Sequence, residues 1–135
     1  MILKVNECII MDVIIETSFI KKCVKKEYQE RLIFEFSSKK HREKAIYKFA
    51  HNAHCILNNT CQKILLDDLM CILSKFDNNV ECYLILNSTN EGTILPLHKA
   101  LKLFFDSYLC AILIIDNTII IKEECEVTPT FYLSL

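Results

Sequence analysis

Glycine is almost missing from this chain, with one in 135 residues where average usage of roughly 7% would give about nine. Loops that cradle phosphate need several glycines so that the backbone can approach the anion. Walker-type and dinucleotide-type sites are therefore excluded. Paired cysteine ligands are missing as well. The eight cysteines stand at 8, 23, 55, 61, 71, 82, 110 and 125 with no CxxC among them, whereas zinc sites ordinarily draw two ligands from one tight turn. Arginine is scarce, with only Arg31 and Arg42. No charge of one sign dominates: 16 Lys plus Arg against 17 Asp plus Glu leave a net charge of -1, which excludes a strongly basic nucleic-acid domain but not a local basic patch. The longest apolar run, residues 108–115, is eight residues long, against roughly 20 needed to span a bilayer. The opening segment carries Glu7, Asp12 and Glu16 and has neither a basic leader nor a cleavage pattern. An intracellular protein is the expectation.

What is present is apolar mass. Hydrophobic residues make up 52% and the mean hydropathy is +0.25, enough for a sizeable core in one domain spanning residues 1–135. Most cysteines lie in apolar runs such as Met70-Cys71-Ile72 and Leu109-Cys110-Ala111, so buried, reduced thiols are expected rather than a disulfide scaffold.

Residues 2–5 and 8–15, rich in β-branched side chains, predict a strand pair. The four lysines within residues 21–28 predict a solvated connection, and the alternation of Leu32, Phe34 and Phe36 predicts a third strand over 31–36. Ser38 then offers a helix cap. Ile46, Phe49, Ala50, Ala53 and Leu57 recur at helical spacing, and a second helix is expected over 65–76 with Asp67 and Asp68 near its positive end. A strand over 80–86, a turn at 87–92 that uses Gly92, a helix over 95–108, a hairpin of 109–115 and 118–122, and a strand over 131–135 complete an α+β layered domain.

Chemistry-bearing residues are few. His51, His54 and Cys55 share one helix face and could supply metal ligands, but no partner spacing elsewhere completes a set, and nothing in the sequence orients a histidine toward Cys55. No metal, cofactor or catalytic residue is expected. Asp106 interrupts an apolar stretch and is expected to end a helix from inside the fold. Lys21, Lys22, Lys25, Lys26, Lys39, Lys40 and Arg42 are the candidates for a basic contact surface.

The second half resembles the core of an RNase PH-like domain. The residues that carry the resemblance are Val80-Glu81-Cys82-Tyr83-Leu84-Ile85-Leu86, Glu91-Gly92-Thr93, Ala100-Leu101, Asp106-Ser107, the hairpin 109–121, and Lys122-Glu123-Glu124 in place of the acidic segment. The first half is compatible through its strand pair and Leu32-Ile33-Phe34-Glu35-Phe36. Glu91 stands where the pattern has Asp, and the chain ends after one strand, which implies a divergent, shortened member.

Active members degrade RNA with phosphate, held by arginines; phosphorolysis needs that cationic clamp because phosphate and RNA repel one another. Neither Arg31 nor Arg42 falls in a family arginine motif, so no catalysis is expected. The pattern is similar to the non-catalytic RNase PH-like subunits of the eukaryotic exosome. That resemblance implies a subunit of a hetero-oligomeric ring in nucleus and cytoplasm that helps thread RNA to a nuclease, with the lysines above and Arg42 contacting RNA or neighbouring subunits. The alternative is a protein-binding adaptor or assembly chaperone of α+β build with no RNA contact. Protection of single-stranded RNA in a salt-dependent way would separate them.

Overall fold

The computed structural model describes residues 2–86, 92–107, 111–124 and 128–135, with side chains from residue 13 onward. Three helices open the chain: α1 (Ile2–Cys23), α2 (Lys26–Ser37) and α3 (Arg42–Ile56). A short strand β1 (Gln62–Ile64) and helix α4 (Leu66–Leu73) follow, then β2 (Glu81–Leu86), β3 (Thr93–Pro96), α5 (Leu97–Asp106), β4 (Ala111–Ile115), β5 (Thr118–Glu123) and β6 (Thr130–Ser134). The strands form one six-stranded sheet in the order β1-β6-β5-β4-β2-β3, antiparallel at every junction. The architecture is α+β.

The sheet is covered on both faces, and the alternation of its side chains assigns each helix to a face. Tyr83, Ile85, Ile112, Ile119, Ile121 and Tyr132 point into one core with Phe19, Ile20, Leu32, Phe36, Ile46 and Phe49 of α1 to α3. Their neighbours Cys82, Leu84, Leu86, Leu113, Ile115, Ile120 and Phe131 point into a second core with Leu69 of α4 and Leu97, Ala100 and Phe104 of α5. Strands buried on both sides read as continuous apolar runs, which is why β2 and the β4–β5 hairpin are plain in the sequence. Asp116 takes φ 50° in the two-residue turn of that hairpin, and Gly92 takes φ 66° just before β3. Aspartate tolerates this region and glycine has no Cβ to clash. The expected turn at Gly92 stands; Glu91 and the rest of 87–91 lie outside the described residues.

Two expected strand regions are helices. Residues 2–15, expected as a strand pair, run continuously in α1, and residues 31–36 lie within α2. The segment 21–28, expected as a solvated connection, contains the end of α1 and the start of α2. The burial pattern gives the reason. Glu16, Phe19, Ile20, Cys23 and Val24 are the buried positions, spaced i, i+3, i+4, i+7, i+8, a helical stripe with a carboxylate at its head. In α2, Leu32 and Phe36 are buried and Phe34 between them is 62% exposed, so the apparent alternation is an i, i+4 pair plus an outward ring. Tertiary burial outweighs the β-propensity of Ile and Val here. Smaller differences follow: β1 and β3 were not expected, Pro96 precedes α5 instead of lying in its first turn, and α3 starts at Arg42 beyond Ser38. The expected helix 65–76 is present as α4, with Asp67 and Asp68 in its first turn. The expected core positions Ile46, Phe49, Ala50, Ala53 and Leu57 are all buried.

The thiols are mixed. Cys23 and Cys82 are buried, Cys61 is half-buried, and Cys55 and Cys71 are exposed, all of them reduced. Exposure of Cys71 corrects the expectation from its apolar neighbours: it lies on the solvent side of α4, opposite Leu69 and Leu73. Cys8, Cys110 and Cys125 lie outside the described side chains.

Burial pushes the Cys82 thiol up from 9.0 to about 11, helped by the negative charge of Asp116. Burial also pushes the Tyr132 hydroxyl from 10.0 to about 12, helped by the charge of Glu123. Both keep in the folded chain a proton that the unfolded chain releases near 9.0 and 10.0. Their contribution is complete below pH 9 and is lost as pH rises through about 11 and 12. Stability is therefore expected to fall between pH 8 and pH 11. Urea unfolding midpoints at pH 8, 10 and 11 measure it, and a flat profile contradicts it.

Candidate functional site

Four features outside the two cores carry polar chemistry or exposed apolar surface. The first is buried. Glu16 lies on α1 and accepts both Arg42 Nη1 and Nη2 at 2.6 Å, in a fork, while the Tyr83 hydroxyl donates to the same carboxylate from β2. Arg42 also donates to the Phe36 carbonyl at 2.7 Å and lies over the Phe36 ring. This set ties the first three helices to the sheet. Arg42, expected to meet RNA or a neighbouring subunit, has its guanidinium committed here.

The second feature joins α3 to the end of β5. Asn52 breaks the helical dihedrals of α3 (φ -126°, ψ 18°), and the freed backbone groups are satisfied from β5. The His54 amide donates to Glu123 Oε2 at 2.6 Å, and the Ala50 carbonyl accepts the Glu124 amide at 3.2 Å. A side chain inserted into the i to i-4 ladder is a recognised cause of a kink. Glu123 Oε2 also holds His54 Nδ1 at 2.8 Å, and Glu124 Oε2 stands 3.0 Å from His51 Nε2. The two histidines on the helix face shared with exposed Cys55 are thus oriented by carboxylates. The sequence held the signal, two acids closing an apolar strand, but not the contact between positions 69 residues apart. Among the described residues, no group of three or more His, Cys, Asp or Glu is placed to hold a metal ion.

Third is a cleft of about 360 Å³ between α1 and the β2–β3 edge. Phe19, Tyr83, Ile114 and Ile119 line it, with Ile14 and Ile94 as further walls and Ser18, Lys22, Glu81, Asp116 and Asn117 among its polar members. Ile14 is 61% and Ile94 40% exposed. Lys22 Nζ donates to the Asn117 carbonyl at 2.6 Å, fixing the distance between α1 and the β4–β5 turn. Among the described residues, β3 ends the sheet on this side. A few polar groups around a mainly apolar concavity suit an aliphatic ligand with a polar backbone. Elsewhere, Leu65, Leu66 and Met70 are exposed at α4.

The lysines make the fourth feature. Lys21, Lys25 and Lys26 are exposed at the α1–α2 junction, and Lys39 and Lys40 are exposed beyond the end of α2. α2, which Lys26 opens, separates the first group from Lys39 and Lys40 along the chain. Lys22 faces the cleft.

Asp106, expected to end its helix from inside, is exposed. The residue that closes α5 from inside is Lys122. Its ammonium is buried and donates to the carbonyls of Phe104 at 2.8 Å, Phe105 at 3.3 Å and Ser107 at 2.6 Å. A cation there satisfies orphan carbonyls and the negative end of the helix dipole together. No helix is long and apolar enough to cross a membrane among the described residues. No family model, curated protein or solved structure matches this chain.

Proposed function

We propose that this chain is a non-catalytic protein-binding adaptor, which takes an extended aliphatic segment of a partner protein into the cleft between α1 and the β2–β3 edge. The observation that carries the proposal is the exposure of Ile14 and Ile94 beside the apolar lining of that cleft. Two large aliphatic side chains left in water beside a concavity gain by being covered, at about 25 cal/mol per Å² of apolar surface buried. The position of β3 at the end of the strand order among the described residues suits a partner segment in extended form. Glu81, Asp116 and Lys22 lie around the cleft and favour a partner whose flanking residues are polar and of mixed charge.

Selection of a displayed random-peptide library on the folded protein tests this. Enriched peptides are expected to share closely spaced aliphatic residues, to bind in the micromolar range, and to lose about tenfold or more in affinity (roughly 1.4 kcal/mol or more) on Ile14→Glu or Ile94→Asp. Peptides that bind both variants as tightly as the wild type, or no enrichment at all, contradict the proposal.

A second reading rests on exposed Lys21, Lys25 and Lys26: a non-catalytic, RNase PH-like subunit of an RNA-degrading ring, contributing to assembly and RNA threading. It stands second because the segments 2–15 and 31–36, read as strands in that resemblance, are helical. A fluorescent oligouridylate that binds with a steep salt dependence, and is released by Lys→Glu changes at 21, 25 and 26, supports it. Absence of binding at low salt removes it.

A further inference from the structure

The turn that leads into β1 is stitched to the end of α1 by backbone and side-chain hydrogen bonds. Val24 bridges Leu57, and the Asn58 amide donates to the Cys23 carbonyl at 2.8 Å while its side-chain amide reaches the Lys22 carbonyl at 2.9 Å. Thr60 Oγ1 donates to the Lys22 carbonyl at 3.0 Å. This framework brings Cys61 onto Cys23. The Cys61 thiol points at the Cys23 carbonyl at 3.9 Å, which sets Cys61 against Cys23 at the border of one core. Cys23 is fully buried and Cys61 is half-buried at the border of the same core, so one residue of the pair reaches the surface and the other does not.

We infer that Cys61 and Cys23 form an oxidisable pair, in which Cys61 is the thiol attacked by a hydroperoxide and Cys23 is the thiol that resolves it into a disulfide. The environment divides the two roles. The hydrogen bond from Cys23 lowers the Cys61 thiol, with help from Thr60 and the Lys22 ammonium and against the cost of partial burial. The same hydrogen bond, together with burial, raises Cys23. A thiolate is the nucleophile toward peroxide, and access governs which one reacts.

The chemistry balances with a hydroperoxide as the oxidant. The Cys61 thiolate attacks one peroxide oxygen, the O–O bond breaks, and the departing hydroxide takes up a proton and leaves as water. The sulfur of Cys23 then attacks the sulfenic acid sulfur of Cys61. The S–O bond breaks, and hydroxide carries off the Cys23 proton as a second water. Two thiols are oxidised and one hydrogen peroxide is reduced. The new bond links the last turn of α1 to the residue before β1, closing the chain between positions 23 and 61.

One equivalent of hydrogen peroxide, followed by alkylation under denaturing conditions, digestion and mass spectrometry, tests the inference. The expected result is a linked peptide pair containing Cys23 and Cys61 as the main oxidised species, with Cys55 and Cys71 alkylated. In Cys23→Ser the expected product is a sulfenic acid at Cys61, trapped by dimedone. Two outcomes in the wild type overturn it: oxidation at exposed Cys55 or Cys71 while Cys61 stays reduced, or a dimedone adduct at Cys61 with no link to Cys23.

Discussion

Replacing Arg42 with alanine is expected to lower folding stability by about 3–5 kcal/mol, the range for removing one partner of a buried ion pair. The Glu16 carboxylate is 4% exposed in its side chain, and the fork from Arg42 is its charged partner. Without it, the charge keeps only the Tyr83 hydroxyl in the contacts described above. The Phe36 carbonyl loses a donor as well. A domain with 5–15 kcal/mol in total is left near the edge of unfolding. The comparison that isolates the cause is the double variant Glu16→Leu with Arg42→Met, which removes both charges and retains much of the apolar volume. Urea unfolding is expected to find it clearly more stable than Arg42→Ala alone. Equal destabilisation of the two would show that the guanidinium acts through packing and not through its charge.

Lys122→Met is the second large effect, expected at about 2–4 kcal/mol. Methionine keeps most of the apolar stem, but it loses the ammonium that lies 5.8 Å from the Phe104 ring centroid and cannot donate to the carbonyls of Phe104, Phe105 and Ser107. Charge-assisted hydrogen bonds contribute roughly 1.5–3 kcal/mol, and an acceptor left dry costs about 1–3. Hydrogen exchange provides the local readout. Amides in the last turn of α5 are expected to lose protection in Lys122→Met ahead of those in β2 and β4. Uniform loss throughout the sheet would contradict the capping role.

Lys122 also illustrates what the sequence could and could not convey. As the close of Thr118-Ile119-Ile120-Ile121 it looks like the polar end of a strand, and its strand was expected correctly. That its ammonium turns inward onto a helix 15 to 18 residues earlier is a tertiary fact with no local signature. The second half of the fold was legible because β2, β4 and β5 are buried on both faces and their composition needs no periodicity to be recognised. The first half misled because its helices carry β-branched residues and because Glu16 occupies a core position. A carboxylate at the head of an apolar stripe breaks the pattern that identifies an amphipathic helix, and only Arg42, 26 residues on, shows why it is there. In the candidate site, Lys22 stands out in the sequence by its charge and lies at the cleft, whereas Ile14 and Ile94 carry no signal. An exposed isoleucine cannot be told from a buried one until the surface is known.

The central claim is that the cleft between α1 and the β2–β3 edge binds protein. Its most direct measurement uses the isoleucine methyl groups already lining it, at 14, 15, 94, 114 and 119. Methyl spectra of the isoleucine-labelled protein, titrated with the best library-selected aliphatic peptide, are expected to shift Ile14, Ile94 and Ile114 together while Ile46 and Ile120, in the interiors of the two cores, stay in place. Saturable shifts elsewhere with the cleft methyls unmoved would contradict the account.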